Sequence, residues 1–209
     1  MKIITGRVTR SLTVKNVAAI VASLLISACS VLPAREPVDL FQLPASSISS
    51  NQGSTIPGGL RLLTPDTSDA LSGSRLLILD NNIFQAWPAS RWAAPLPQLW
   101  RDWLLDAFWR DGRFGSLSTD STVLQAERSI NGMMRAMHTE NIDGRMIAVI
   151  RFDAQLVNTS GRQIIAARRF ESREPLNGSS AHASVVALGV AADRLARELI
   201  DWAVTESSR

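Results

Sequence analysis

The chain has no tyrosine, one cysteine and two histidines among its 209 residues. A single cysteine excludes an intramolecular disulfide framework, and it excludes the clustered Cys/His ligand sets of structural zinc sites. His138 and His182 fall on different predicted elements with no carboxylate cluster near either in the sequence. That is the pattern of structural or solvated histidines, and it does not make a catalytic pair. No Gly-x-Ser-x-Gly elbow occurs, because Gly178-Ser179-Ser180-Ala181-His182 lacks the second glycine and precedes a helix. A Gly-rich phosphate loop ending in Lys-Ser/Thr is also missing, so the chain cannot act as its own ATPase by that route. These absences leave no expected catalytic, cofactor-binding or metal-binding residue.

Long hydrophobic runs are scarce as well. The apolar stretch Val17 to Ile26 has 10 residues, where a membrane-spanning helix needs about 20. It follows a basic stretch carrying Lys2, Arg7, Arg10 and Lys15 and no acid. A basic start, a short apolar run and small residues before a cut are the parts of a secretory signal. The run ends in Ile26-Ser27-Ala28-Cys29, which resembles the lipobox of bacterial lipoproteins, with isoleucine where leucine is usual. The resemblance implies cleavage after Ala28, a diacylglycerol on the Cys29 thiol and no other cofactor. Ser30, in place of the aspartate that retains such proteins at the inner membrane, leads us to expect the periplasmic face of the outer membrane.

Removing the signal changes the charge. Of 22 Lys+Arg and 19 Asp+Glu, the signal holds four bases and no acids, leaving 18 against 19, a net charge of −1. The basic character of the whole chain therefore reports targeting and gives no reason to expect nucleic acid as a partner. The remaining chain is long enough for one domain, and with 45% apolar residues overall it can bury a core without a disulfide or metal.

The sequence divides into a signal over 1–28, a tether over 29–59 and a folded domain over 60–209. Pro33, Pro37, Pro44 and Pro57 punctuate the tether, whose run from Ser46 to Ser54 is polar. Such composition predicts a flexible spacer, interrupted by a short strand over Leu40–Leu43. Strands are predicted over Leu60–Thr64, Arg75–Leu79 and Ile83–Trp87, with Asn81-Asn82 as a hairpin turn and a turn over Asp69–Leu71. Further strands are expected over Ile130–His138, Arg145–Val157 and Gln163–Glu171. In the second of these, Met146, Ala148, Ile150, Phe152, Ala154 and Leu156 share one face. Arg151, Asp153 and Gln155 share the other.

Two helices complete the pattern. One runs from Pro97 to Asp111 with Leu99, Trp100, Trp103, Leu104, Ala107 and Phe108 on one stripe, between a leading proline and Gly112. The other spans Ser180–Thr205, with Val185, Leu188, Ala192, Leu195, Leu199 and Trp202 at helical spacing. The expected fold is α+β, a two-layer domain with a mostly antiparallel sheet packed against two amphipathic helices.

Tryptophan is the residue in excess. Trp87, Trp92, Trp100, Trp103 and Trp109 fall within 23 residues around Arg91-Trp92-Ala93-Ala94-Pro95. Trp100 and Trp103 lie on the buried stripe and belong to the core. Trp109 lies off it. Buried rings would make the segment a packing joint, whereas exposed ones would make it a contact surface, for which Trp and Arg are favoured. The contact candidates are Trp87, Arg91, Trp92, Pro95 and Trp109.

Taken in order, the lipobox, Leu60-Arg61-Leu62-Leu63-Thr64-Pro65, Leu71-Ser72-Gly73-Ser74-Arg75, Arg91-Trp92-Ala93-Ala94-Pro95, Gly112-Arg113-Phe114, Arg151-Phe152, Arg168-Arg169-Phe170 and a terminal helix closing on Trp202 resemble the ABC-type transport auxiliary lipoproteins, the PqiC-like family. The resemblance covers about Asp39 to Trp202. Phe84 and Trp87 stand where that family often has tyrosines. It implies a non-enzymatic auxiliary component of lipid transport, docking a periplasmic MCE-domain protein and, through it, an inner-membrane ABC permease and ATPase. It also allows homo-oligomeric rings. The alternative is an envelope-integrity or assembly lipoprotein that stabilises an outer-membrane complex and handles no lipid.

Overall fold

A computed structural model describes residues 37–209, apart from 52, 54 and 123. Cys29, Ser30 and the signal lie outside the described residues. The described strands are β1 (Asp39–Phe41), β2 (Ile56–Leu62), β3 (Asp66–Thr67), β4 (Arg75–Asp80), β5 (Ile83–Trp92), β6 (Phe114–Thr119), β7 (Arg128–Ile142), β8 (Arg145–Asn158) and β9 (Gln163–Pro175). The helices are a single turn α1 (Asp69–Ser72), α2 (Leu96–Asp111) and α3 (Ala181–Ser207).

Strand β7 is the spine of one sheet. Along one edge it pairs antiparallel with β8, which in turn pairs antiparallel with β9. Its other edge is shared by three short parallel strands in succession: β2 at Arg128–Ile130, β3 at Met133–Met134 and β4 at Thr139–Glu140. Two wings grow from these. β6 adds to β2 in parallel, while β5 adds antiparallel to β4 and carries β1 in parallel. The longest ladders are antiparallel, yet five of the eight pairings are parallel. Parallel neighbours need long crossovers. The excursion through β3, β4, β5 and α2 supplies one, bringing β6 back beside β2.

Both long helices cover one face. Every residue of the two predicted stripes is buried, as in an amphipathic helix lying on a sheet. Trp100 meets the Phe152 ring at 6.0 Å and Trp202 meets Phe170 at 5.5 Å. The helix ends follow local chemistry. Ser180 caps α3 by accepting from the Ala183 N–H at 3.1 Å. Gly112, at φ +78°, closes α2 by donating to the Phe108 carbonyl. The Asn81-Asn82 turn holds both residues at positive φ, 47° and 65°, as a type I′ hairpin demands.

The structure corrects several boundaries. Strand β5 continues past Pro88 to Trp92, β9 runs to Pro175, β7 starts at Arg128 and ends at Ile142, and β2 spans Ile56–Leu62 instead of Leu60–Thr64. Strands β3 and β6 were not expected, and the turn expected over Asp69–Leu71 is a helical turn.

The larger correction concerns the tether. Val38–Arg209 forms one compact unit, so much of the expected 29–59 spacer belongs to the domain. Leu43, Ile48 and Ile56 are buried in its core. The polar residues between them serve α3. Ser46 Oγ donates to Asp193 at 2.7 Å, the Ser47 N–H reaches the same carboxylate at 3.0 Å, and Arg197 donates to Ser47 Oγ at 2.8 Å. Trp103 Nε1 donates to the Pro44 carbonyl at 2.7 Å. Pro44 also lies so close to Gly189 that a Cβ there would sit 2.8 Å from its ring. Averaged composition hides three apolar anchors spaced along a serine-rich strap.

Candidate functional site

The Arg91–Pro95 segment turns the chain from β5 into α2, and its backbone ties three elements together. Trp92 N–H donates to the Ser74 carbonyl at 2.7 Å, Ala93 N–H to Phe41 at 2.8 Å, and Leu96 N–H to Gly73 at 3.0 Å. The Trp92 ring is driven into the core, with only 1% of its surface exposed. It is therefore no contact residue, and the packing-joint reading holds for it. Trp87 is half-buried against the same core. Arg91 and Pro95 are exposed. Trp109 is also exposed, at 56%, but it stands 14 residues beyond Pro95, about 20 Å along α2 at 1.5 Å per residue. The structure thus unites Arg91 and Pro95 over Trp92 and leaves Trp109 apart.

Around Arg91 the sheet register assembles residues that sequence reasoning missed. Leu40 of β1 stands opposite Arg91, and Arg91 stands opposite Arg75 of β4. Register partners project to the same face, so the three form a stripe across three strands. Leu40 is 66% exposed, and Val38, just ahead of the strand, is exposed too. Neither Arg75 nor Arg91 has a carboxylate within 4 Å among the described residues. Behind the joint lies a groove of about 250 Å³ walled by Leu43, Ala93, Ala94, Leu99 and Trp103, with Asp102 at its rim. Neither Arg75 nor Arg91 lines that groove, so the cationic stripe and the apolar groove are separate features, the first matched to acidic groups and the second to an apolar side chain. The missing signal was the parallel β1–β5 pairing, which local patterning does not reveal.

His138 departs from the sequence reading in one respect: Glu140, two residues along β7, meets its Nε2 at 3.3 Å. The ring is 2% exposed and receives the Phe84 ring edge-on at 5.2 Å. Burial pushes its pKa below the usual histidine value, against the opposing pull of Glu140. His182 is exposed at the start of α3, its ring 6.5 Å from that of Phe41. The two histidines lie on separate elements. Among the described residues no three His, Cys, Asp or Glu side chains gather as metal ligands. No described helix is long and apolar enough to cross a membrane.

The fold has solved counterparts. The crystal structure of protein XCC0632 from Xanthomonas campestris superposes with a TM-score of 0.74 at 16% identity, over 81% of this chain and 97% of that one. A second crystal structure, of an uncharacterized protein, gives 0.62 at 17% identity over 80% and 99%. At such identities the likeness shows the fold alone. No curated protein matches the chain. Residues 41–200 match the ABC-type transport auxiliary lipoprotein component family, and the chain belongs to it.

Proposed function

We propose that this protein is the docking component of an MCE-type lipid transport system, held by an acylated Cys29 at the periplasmic face of the outer membrane. It has no catalytic role of its own. The observation that carries the reading is the exposed Leu40–Arg91–Arg75 stripe, which includes the first strand of the folded domain. Eight residues separate Cys29 from Val38, and that span reaches at most about 30 Å when extended. An acyl anchor would therefore hold this stripe near the bilayer, in reach of the end of a periplasmic conduit. Such a conduit is required because exposing acyl chains to water costs about 25 cal/mol per Å². The conduit and the ATPase are supplied by the MCE-domain protein and the ABC permease–ATPase.

Co-purification in mild detergent tests the reading. The intact chain should recover an MCE-domain protein, and Arg75→Glu with Arg91→Glu should lose it while circular dichroism stays unchanged. Full retention by the double variant would remove the stripe from the interface. Recovery of no MCE-domain partner would favour the envelope-integrity alternative.

A further inference from the structure

Five arginines of the described chain are partly buried: Arg61, Arg101, Arg113, Arg128 and Arg151. Four of them have a carboxylate. Arg101 meets Asp120 at 2.6 Å, Arg113 meets Asp111 at 2.7 Å, Arg128 meets Glu127 at 3.4 Å and Arg151 meets Glu171 at 2.6 Å. Arg61 has none within 4 Å among the described residues, and its Nε is enclosed without an acceptor. A buried Nε–H without an acceptor is unfavourable unless something completes the hydrogen bond.

The surroundings show what would complete it. Arg61 projects from the face of β2 opposite the buried Leu60 and Leu62. Its register partner on β6 is Ser118, whose Oγ is likewise enclosed and unpartnered. Arg61 lines a cleft of about 530 Å³ with Gly59, Gln125, Glu127, Thr159 and Ser160. The one acid there is engaged elsewhere: the Glu127 carboxylate lies across Gly58, where a Cβ would meet its Oε2, and it pairs with Arg128. Gly58 holds φ +80°, so the backbone there admits the carboxylate only because it lacks a side chain. Thr159 is also committed, donating to the carbonyls of Ala126 and Glu127 and so fixing the cleft wall to the β8–β9 turn. Arg61, Gln125 and Ser160 are left as the uncommitted hydrogen-bonding residues lining one space. The only apolar side chain in the lining is Ala126, so an acyl chain finds nothing to bury against.

We propose that this cleft binds a phosphate group, with Arg61 as its cation and the Gln125 and Ser160 donors completing the oxyanion. A planar guanidinium is matched to phosphate geometry, and the cleft falls in the size range of small-ligand sites, leaving room for an ester substituent. The source is a soluble phosphate ester or a phospholipid headgroup. The site is distinct from the docking stripe and does not rest on it.

The test uses the full chain in maltoside detergent, titrated separately with inorganic phosphate, with glycerol 3-phosphate and with phosphatidylglycerol added to the micelle, binding being read by calorimetry and by the thermal midpoint. At least one probe should bind saturably, at least about tenfold more weakly to Arg61→Gln and unchanged in Arg145→Gln, an exposed arginine outside the cleft. Preference for phosphatidylglycerol assigns the headgroup source, and preference for either soluble probe assigns the soluble one. Arg61→Gln should itself keep or raise the midpoint without ligand, because it removes an unpaired charge. Binding of none of the probes, or equal binding by Arg61→Gln, would overturn the proposal.

Discussion

The two faces of the sheet solve the same problem by different means. On the helix-covered face, β8 presents Ala148, Ile150, Phe152, Ala154 and Leu156, all buried beneath α2 and α3. On the other face the same strand presents Arg151 and Asp153, which enter a ladder of ion pairs. Asp153 accepts from Arg169 at 2.5 Å and from Arg135 at 2.9 Å, while Glu171 accepts from Arg151 at 2.6 Å and from Arg173 at 2.7 Å. Arg135 joins because the bulge between Met134 and Ala136 turns it outward. One face is held by apolar area removed from water, and the other, apart from the end where His138 and Val149 are buried, is a solvated surface whose charges mostly neutralise one another. The unneutralised cations are the informative ones. Arg61 lies on this second face, and Arg75 and Arg91 lie opposite the buried Trp92, so these three cations face away from the helices.

Deleting volume from the covered face should have the largest effect. Trp100 is buried, stacked on Trp103 at 5.7 Å and set edge-on to Phe152. Trp100→Ala should destabilise the domain by about 3–5 kcal/mol, the usual cost of removing a large aromatic from a core. A urea titration would show it as a lowered midpoint with the slope preserved. Asp153→Asn on the open face should cost no more than about 1 kcal/mol. Equal effects would mean that the ladder is as important to stability as the core.

Between these extremes lies the serine strap. Asp193 is the common acceptor for the Ser46 hydroxyl and for the Ser47 N–H and hydroxyl. Asp193→Ala should cost about 1–3 kcal/mol, because it leaves several donors without their acceptor. Hydrogen exchange should accelerate first over residues 43–48, with β7 and β8 unaffected. Uniform acceleration would make the strap part of the cooperative core.

The contrast also explains what could be read from the sequence. The covered face announced itself: the stripes of α2 and α3 and the alternation of β8 were legible because helical and strand periods repeat along many residues. The Asn81-Asn82 hairpin was legible because its residues tolerate positive φ. The wings were not. Strands β3 and β6 are too short for a period to emerge, and the parallel pairing of β1 with β5 joins residues about fifty positions apart. For the same reason Arg91 stands out beside Trp92, while Leu40, Arg75 and Arg61 fall within predicted strands and family motifs with no role of their own. Their role depends on which strand lies beside them, and on the partner each lacks.

Acid should separate the faces with the smallest and most specific effect. Arg169 and Arg135 hold the Asp153 carboxyl at about 2, and Arg151 and Arg173 hold that of Glu171 at about 2. In the unfolded chain such groups titrate near 3.9 and 4.3. Both folded values are depressed, so the unfolded state binds more protons in this window and stability falls as pH falls. The contribution is complete above about pH 5 and lost progressively toward pH 2. His138 adds a second step of the same sign at higher pH. Burial lowers its folded pKa, so it favours the folded state above the ordinary histidine value of about 6.5 and loses that advantage below it. Two variants resolve the steps. Asp153→Asn with Glu171→Gln should flatten the profile between about pH 5 and 2 while leaving the step near 6.5. His138→Gln should do the reverse. The size is modest, because the carboxylates are partly solvated and exposed pairs contribute only about 0.2–1 kcal/mol each. Raising the salt concentration should shrink the acidic step further, since partly exposed pairs are screened, and should spare the histidine step, which arises from burial. Chemical denaturation at intervals of half a pH unit would reveal both. A profile that is unchanged in the double carboxylate variant would mean that the open face contributes solubility and binding chemistry but no stability.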